Sequence, residues 1–214
     1  WQRSFSGSQG VGLVWIDVGP DDRISVLGSA SGSTDLGGGV LVDVEDPWIV
    51  GQFAADGSHR WSHRLDQADH IPWSVGADAA GGTVVSGSAS TGEFVLRHDT
   101  QGALDWERTF VPAPNTAEQV TVGAMATGAT IAVAGRFRGA IDFGGGDLKV
   151  APPEHAMFVA RYDLAGEHLS SEMFNATLEE SPNAAAIGAD GELVLGGIFQ
   201  GQFDLGAGPM VAVG

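Results

Sequence analysis

The sequence predicts an all-β protein, and three observations carry that prediction. The chain has 33 glycines among 214 residues, and hardly any segment stays free of glycine for the three turns of an average helix. Short apolar runs end in turn residues, as in "RISVLGSASG" and "TIAVAGRFRG", which is typical of short strands. The motif G-x3-G-x2-D-[LF]-G-[GA]-G occurs at Gly28, Gly135 and Gly197 without a change in spacing. These features favour many tight turns and little helix.

The composition excludes several classes of protein. The chain carries 27 acidic residues against 10 lysines and arginines, a net charge of -17, so a nucleic-acid backbone would be repelled. The absence of cysteine excludes disulfides, thiolate metal sites and cysteine nucleophiles. No stretch of the chain approaches the roughly 20 apolar residues of a membrane-spanning helix. The expected partner is therefore a protein or a carbohydrate surface ligand, with no nucleic acid and no membrane span.

Tryptophan marks an internal repeat. Trp1, Trp61 and Trp106 begin the similar segments "WQRSF", "WSHRL" and "WERTF", and "SSEMF" takes the same place from Ser170. A turn glycine lies four residues before each of the later three segments, and a hydrophobic segment such as "FVARYD" precedes that turn. The spacing predicts a single repeat domain, or a fragment of one, with repeats at roughly residues 1–60, 61–105, 106–169 and 170–214.

Each repeat can be laid out as four strands. The first follows the Trp segment, the second is of the "TIAVAGRFRG" type, the third is of the "FVARYD" type, and the fourth carries the Trp. Four short antiparallel strands in a repeat of about 40–50 residues is the plan of a β-propeller blade. The sequence therefore predicts a β-propeller-like array of about four four-stranded antiparallel blades. The last blade is expected to be incomplete, which predicts an open arc or a four-bladed ring with a defective seam.

The glycine motif adds a hairpin to three of the repeats. The short repeat passes from "GSAST" almost directly to "GEFVLRHD" and lacks this hairpin. The comparison predicts that the hairpin is dispensable to the blade. Deletion of Asp142–Lys149 is then expected to leave a folded protein.

The third repeat carries a family resemblance. The segments "GRFRGAIDFGGGDLKV" and "MFVARYDLAGEHL" resemble the bacterial repeats called SBBP or β-propeller repeats, which occur in tandem in large secreted or surface proteins. The resemblance covers nearly the whole chain and is strongest over residues 120–174. It implies an extracytoplasmic propeller, secreted, at the cell surface or periplasmic, and it implies no catalytic residue. The segment "DTQGALDW" is more loosely similar to PQQ-type propeller blades, whose quinone-binding residues have no counterpart in this sequence.

Three aspartates enter the glycine turns of the motif, at Asp35, Asp142 and Asp204. An aspartate in this position can accept hydrogen bonds from backbone N–H groups two or more residues further on. We expect this structural role and no cofactor. Calcium is the alternative, although each motif supplies one carboxylate to an ion that takes six to eight oxygens.

The connections that follow the Trp strands differ most between the repeats. In a propeller such connections gather at one mouth of the central channel, and variable loops on a repeated scaffold are where ligands bind. The acidic residues of these connections would make that mouth acidic and suited to a cation or a basic partner. The alternative interpretation is that the connections are ordinary solvated loops. The candidate binding residues are Asp66, Asp69, His70, Asn115, Glu118, Glu179 and Glu180.

Histidine and tryptophan each permit two interpretations. His59 and His63 could form a metal pair, but residues four apart on a strand are separated by about 13 Å, which favours a turn or solvent-facing role. The recurring tryptophans could form a platform for stacking sugars, but their recurrence at one place per repeat favours packing between blades.

No serine nucleophile elbow, histidine metal motif or paired-acid signature is present in the sequence. We therefore expect a non-catalytic extracytoplasmic module that serves as a scaffold, an adhesion module or a ligand-binding surface. The alternatives are a propeller hydrolase or lyase that uses loop carboxylates, and a calcium-stabilised structural repeat.

Overall fold

The structure is a computed structural model that describes residues 1–42, 47–65, 69–112, 119–151, 154–175, 180–206 and 208–213. Within these ranges the chain forms strands and no helix, which confirms the all-β prediction. The strands are, in chain order, β1 Ser6–Gly7, β2 Val11–Val18, β3 Ile24–Ala30, β4 Thr34–Asp35, β5 Val40–Leu41, β6 Trp48–Phe53, β7 His59–Arg64, β8 Ile71–Ala77, β9 Thr83–Ala89, β10 Gly92–His98, β11 Leu104–Phe110, β12 Gln119–Thr127, β13 Ile131–Asp142, β14 Asp147–Val150, β15 Ala156–Tyr162, β16 His168–Asn175, β17 Glu180–Ile187, β18 Leu193–Phe199, β19 Gln202–Asp204 and β20 Pro209–Val211.

The chain packs as two compact units. The first contains Trp1–Ser90 and Val95–Glu107, and the second contains Thr91–Phe94 and Arg108–Gly214. Because the described residues form no helix, none of their elements is a helix that could cross a bilayer.

Three sheets follow the predicted blade plan. Their strand orders are β2-β3-β6-β7, β8-β9-β10-β11 and β12-β13-β15-β16, with β14 paired to the end of β13. Neighbouring strands in the first and third sheets pair antiparallel. The Trp-bearing segment is the fourth strand of its sheet, since Trp61 lies in β7 and Trp106 lies in β11. The predicted propeller-like class is confirmed at the level of these sheets.

A bulge interrupts the first strand of every repeat at the same place. The register shifts opposite the second-strand glycines Gly28, Gly87, Gly135 and Gly197. A Cβ built at Gly28, Gly135 or Gly197 would clash with a carbonyl oxygen of the bulged strand. A bulge brings the two backbones close together and excludes side chains larger than hydrogen. This contact explains the recurrent glycine in the middle of the "VLGSASG" and "VAGRFRG" strands.

The glycine motif forms the predicted hairpins. The sequence comparison predicts that they are dispensable, but in the structure they contribute side chains to the core. β4 pairs with β5, the end of β13 pairs with β14, and β19 pairs with β20. Phe143, at the tip of the third-repeat hairpin, is 1% exposed and stacks on Phe158 at 4.2 Å between ring centroids. Leu36 at the same motif position is fully buried in the first repeat. The hairpin supplies core side chains, so deletion of Asp142–Lys149 is expected to destabilise the third sheet.

A histidine explains the central glycine of two hairpins. A Cβ built at Gly38 would clash with the ring of His59, and a Cβ built at Gly145 would clash with the ring of His168. Each histidine is the first residue of a fourth strand, is half-buried, and meets an aromatic ring of the third strand edge-on. The two histidines therefore pack under the hairpins instead of facing solvent.

The described residues of the last repeat form two small sheets. Within the described residues, β17 pairs with β18 and β19 pairs with β20, and each pair forms a two-stranded sheet. Residues 1–5 form no strand. Phe5 packs on Phe53 at 5.5 Å between ring centroids, and the Trp1 indole donates to the Ala55 carbonyl at 2.8 Å. The opening segment is therefore packed on the first sheet.

Candidate functional site

The described residues include three of the seven predicted loop residues. Asp69 and His70 lie immediately before β8, and Glu180 is the first residue of β17. The other four lie outside the described residues: Asp66, Asn115, Glu118 and Glu179.

His70 is held between two carboxylates. Its Nδ1 lies 3.0 Å from Asp69 Oδ1, and its Nε2 lies 2.9 Å from Glu107 Oε1. The His70 side chain is 8% exposed, whereas the Asp69 and Glu107 side chains are 51% and 26% exposed. The imidazole is therefore enclosed, and the two carboxylates border it from partly open positions.

A serine extends this arrangement on the Asp69 side. The Ser90 hydroxyl donates to Asp69 Oδ2 at 2.6 Å. This hydrogen bond and the contact with His70 lower the pKa of Asp69 to about 2, because both stabilise the charged carboxylate. Asp69 is therefore ionised throughout the physiological pH range.

The order of the groups differs from that of a catalytic triad. In a triad the serine hydroxyl lies on the histidine nitrogen that takes its proton, and the carboxylate lies on the other nitrogen. Here Ser90 lies on Asp69, and Glu107 occupies the nitrogen where a nucleophile would sit. The arrangement fixes the ring of His70 by placing a carboxylate on each of its two nitrogens.

Sequence reasoning identified Asp69 and His70 and missed Ser90 and Glu107. Glu107 lies 37 residues from His70. It belongs to a strand that the sequence analysis identified by its tryptophan. Strand alternation places Glu107 on one face of β11, but the sequence does not say which loop meets that face. The spacing within the repeat carries no signal for this contact.

Glu180 differs from the loop prediction. It is the first residue of β17, it lies opposite Phe199 in the β17–β18 register, and it is 2% exposed. The side chain borders an apolar cavity of about 230 Å³ in the last repeat. Glu180 is therefore not part of an exposed acidic surface.

The motif aspartates accept hydrogen bonds from their own turns. Asp142 Oδ1 accepts from the backbone N–H groups of Gly144 at 2.7 Å and Gly146 at 2.9 Å. Asp35 and Asp204 make the same pair of contacts in their hairpins. In the first and third repeats these N–H donors hold the pKa of Asp35 and Asp142 below its usual value. Each motif aspartate therefore has one carboxylate oxygen left over, and this oxygen could supply a metal ion with one ligand.

Substitution Asp142→Ala is expected to lower the free energy of unfolding by about 1 kcal/mol, the scale of a lost local hydrogen bond. The loss should be equal with and without calcium, because the turn amides already bind the carboxylate. Urea unfolding at neutral pH measures it, and Asp147→Ala on the same hairpin is the matched control, since the Asp147 carboxylate forms an exposed ion pair with Lys149. A calcium-dependent gain in stability that occurs in the wild type and not in Asp142→Ala would instead establish the metal alternative.

The two histidines weighed as a metal pair each contact a group of their own strand. His59 Nε2 lies 2.9 Å from the Ser62 hydroxyl, and His63 Nδ1 lies 2.8 Å from the Arg64 carbonyl. The His63 ring lies 4.6 Å from the ring of His98, and burial lowers the pKa of His98 to about 3, so that ring is neutral near pH 7. Across the described ranges, no group of three or more His, Asp or Glu side chains is placed to hold a metal ion.

Two of the repeated tryptophans pack on turn glycines. A Cβ built at Gly57 would clash with the ring of Trp1, and one built at Gly102 would clash with the ring of Trp61. Trp61 belongs to the first sheet, and Gly102 belongs to the turn before β11 in the second. Trp61 is 8% exposed and so offers no face for stacking a sugar. The contact of Trp61 with Gly102 is therefore packing between the first and second sheets, as the Trp spacing favours.

Glu93 is a buried acid outside the loop prediction. It is 5% exposed, and burial raises its pKa to about 7 despite a hydrogen bond from the Val122 backbone N–H. Among the described residues, its Oε2 has no hydrogen-bond partner. The folded state therefore favours the protonated form, whereas the unfolded chain loses this proton near its ordinary value of 4.5.

This burial predicts a pH dependence of stability. The folded state binds more protons than the unfolded state between pH about 4.5 and about 7, so the contribution of Glu93 to stability falls as the pH rises through that window and is lost above it. Substitution Glu93→Gln should remove this component. Urea unfolding of both proteins at pH 5 and pH 8 measures it as a smaller difference between the two pH values in Glu93→Gln. An unchanged difference would show that Glu93 ionises normally in the folded protein.

The comparisons with known proteins identify no family. No protein-family profile matches the sequence, and no curated protein matches it either. One similar solved structure is a protein of unknown function from Bacteroides caccae, with 12% identity and a TM-score of 0.43 over 96% of this chain and 62% of that one. Another is a catalytically inactive virginiamycin B lyase from Staphylococcus aureus solved with quinupristin, with 11% identity and a TM-score of 0.35 over 90% of this chain and 87% of that one. Neither likeness assigns a function.

Proposed function

We propose that the protein is a non-catalytic, extracytoplasmic repeat module of the SBBP type that serves as a scaffold, an adhesion module or a ligand-binding surface. The observation that carries the proposal is the order Ser90, Asp69, His70, Glu107. Each hydrogen bond in this order joins two of these four side chains, and no hydroxyl lies on a ring nitrogen among them.

The charge of the molecule defines the class of ligand. A protein with a net charge of -17 attracts cationic partners and repels anionic ones. The partly open carboxylates of Asp69 and Glu107 lie on either side of the His70 ring. The ligand is therefore a basic protein segment or a neutral or cationic carbohydrate.

Binding by defined probes tests this proposal. We expect an oligolysine peptide or an oligosaccharide of glucosamine to bind the immobilised protein and to bind less tightly at higher salt, since salt screens surface charges. The double substitution Asp69→Asn/Glu107→Gln should weaken this binding. The double substitution Asp147→Asn/Glu154→Gln removes the same charge from exposed positions elsewhere and is the control. If both double substitutions weaken binding equally, the binding depends on the net charge of the whole molecule. That result would contradict a binding site at the Asp69 loop.

A turnover assay tests the non-catalytic part of the proposal against the hydrolase or lyase alternative. Polysaccharide and ester substrates are incubated with the wild type and with Asp69→Asn/Glu107→Gln, and the products are quantified. We expect no product above the level of the variant. Turnover by the wild type that the variant loses would establish the enzyme alternative.

A further inference from the structure

The first repeat carries two tryptophans outside the repeated Trp position. Trp15 is the residue that follows the bulge of β2, and Trp48 is the first residue of β6. Their ring centroids lie 6.3 Å apart, and the ring planes are tilted by 48°. Both residues are half-buried, so part of each remains accessible. They form a partly exposed aromatic pair on the first sheet.

The pair lies on the face of the first sheet that meets the second sheet. Residues two or four apart on a strand share a face. Asp17, two residues after Trp15, accepts a hydrogen bond from the last backbone N–H of β8 at 2.8 Å. Gln52, four residues after Trp48, donates to the hydroxyl at the start of β9 at 3.2 Å. These strands belong to the first unit, so the pair lies beside the second sheet and away from the last repeat.

The other repeats have no ring at either place. The residues that follow the first-strand bulge in the later repeats are Ser74, Ala124 and Ala184. Trp48 lies nine residues before its turn glycine, and the same position in the next two repeats holds Glu93 and Met157. The repeat plan therefore does not require aromatic rings here, and they occur in one repeat where a ligand site is free to differ.

The geometry of the pair and the charge of the protein fit a compact cation. An indole face attracts a cation within about 6 Å of its centroid, and one cation can lie within that distance of both rings. A flat ring inserted between them would need a gap of about 7 Å, twice the usual carbon contact distance, which exceeds the 6.3 Å between the centroids. The net charge of -17 raises the local concentration of cations.

The residues opposite the pair favour a cation without N–H donors. Leu27 lies opposite Trp15, and Ser29 lies opposite Trp48. A primary ammonium brings three donors, and leaving donors unpaired next to apolar groups costs free energy. One serine hydroxyl is too little to accept all three. A quaternary ammonium has no donor to satisfy, and its methyl groups pack on the rings.

We propose that Trp15 and Trp48 form a binding site for a small quaternary ammonium compound. The cation lies over both indole rings, with its methyl groups in contact with them. Aromatic pairs and cages recognise methylated ammonium groups in this way. The proposal uses neither Asp69 nor Glu107, so it does not depend on the function proposed above.

Three matched probes test the chemistry of the site. They are choline, ethanolamine, and the neutral isostere of choline in which a tert-butyl group replaces the trimethylammonium group. The full chain is titrated with each, and the indole N–H resonances are followed by NMR. We expect saturable shifts of the Trp15 and Trp48 resonances with choline, and binding about tenfold weaker or more for the other two probes. Equal binding of either would overturn the proposal, because apolar contact or net charge alone would then explain the affinity.

Protein variants locate the site. Trp15→Ser and Trp48→Met introduce residues that the chain itself uses at these places, and each should weaken choline binding about tenfold or more. Trp48→Phe keeps an aromatic face and should bind within about fivefold of the wild type. Trp106→Ser, at a half-buried tryptophan of β11, is the control and should bind within about twofold.

Thermal unfolding confirms that each variant is folded, and Trp48→Phe keeps the test open if the smaller residues unfold the protein. Choline binding that survives both Trp15→Ser and Trp48→Met would overturn the proposal. Absence of choline binding to the wild type would also overturn it, and the pair would then serve only as packing between the first and second sheets.

Discussion

Replacement of Phe143 by alanine is expected to lower the free energy of unfolding of the second unit by about 3–5 kcal/mol, the range for large-to-small changes at buried aromatic positions. The ring is 1% exposed and stacks on Phe158 at 4.2 Å between centroids. The Phe137 and Phe110 rings meet it edge-on at 6.4 Å and 5.3 Å. The substitution therefore leaves a cavity inside a close-packed aromatic cluster.

The last repeat supplies a matched control. Leu205 occupies the same motif position as Phe143 and is 42% exposed, so Leu205→Ala should cost less than about 1 kcal/mol. Urea unfolding followed by circular dichroism measures both variants, because all six tryptophans of the chain belong to the first unit. A loss of less than about 1 kcal/mol in Phe143→Ala would show that the hairpin is not part of the core.

The hairpin also shows where sequence comparison within the chain fails. The short second repeat proves that four strands can pair without the hairpin, since β9 ends at Ala89 and β10 begins at Gly92. It does not show whether the side chains of the hairpin reach the core in the repeats that have it. The Tyr162 hydroxyl donates to the Phe143 carbonyl at 2.8 Å, a contact that repeat lengths cannot reveal.

The backbone plan was predictable because it recurs. A repeated strand order leaves the same marks in each copy, such as the bulge glycine at Gly28, Gly135 and Gly197 and the turn aspartate that follows it. The glycine is required by the close approach of the neighbouring backbone, and the aspartate binds N–H groups of its own turn, so each mark recurs at a fixed place in the repeat.

The candidate site was only half predictable because its contacts are long-range and occur once. Asp69 and His70 are adjacent in the chain, and a variable loop indicates both. Glu107 reaches His70 from another strand, and no other repeat has a counterpart to that pair in the described residues. A repeat pattern predicts features that every repeat shares. It therefore cannot predict a contact that occurs in one repeat alone.

The repeat pattern also does not predict a buried ion pair in the first unit. Arg97 Nε lies 2.7 Å from Asp78 Oδ2. The Arg97 side chain is 8% exposed and the Asp78 side chain is 0% exposed. The other Asp78 oxygen accepts from the backbone N–H groups of Ala80 and Gly82. Arg97 also contacts Asp105, whose side chain is 44% exposed. One arginine therefore joins a buried turn carboxylate to a surface carboxylate.

Substitution Arg97→Met is expected to lower the free energy of unfolding by about 3–5 kcal/mol, because it leaves the Asp78 carboxylate buried without its counter-ion. Asp105→Asn removes the exposed partner of the same arginine and should cost about 1 kcal/mol or less. The double substitution Asp78→Asn/Arg97→Met keeps an amide oxygen for the turn N–H groups and removes both charges, so it should recover stability relative to Arg97→Met. Urea unfolding of the four variants at neutral pH, with Asp78→Asn completing the cycle, measures the coupling. Equal losses in Arg97→Met and Asp105→Asn would contradict the argument, because the cost would then arise from the pair of Arg97 with Asp105 and not from the buried charge of Asp78.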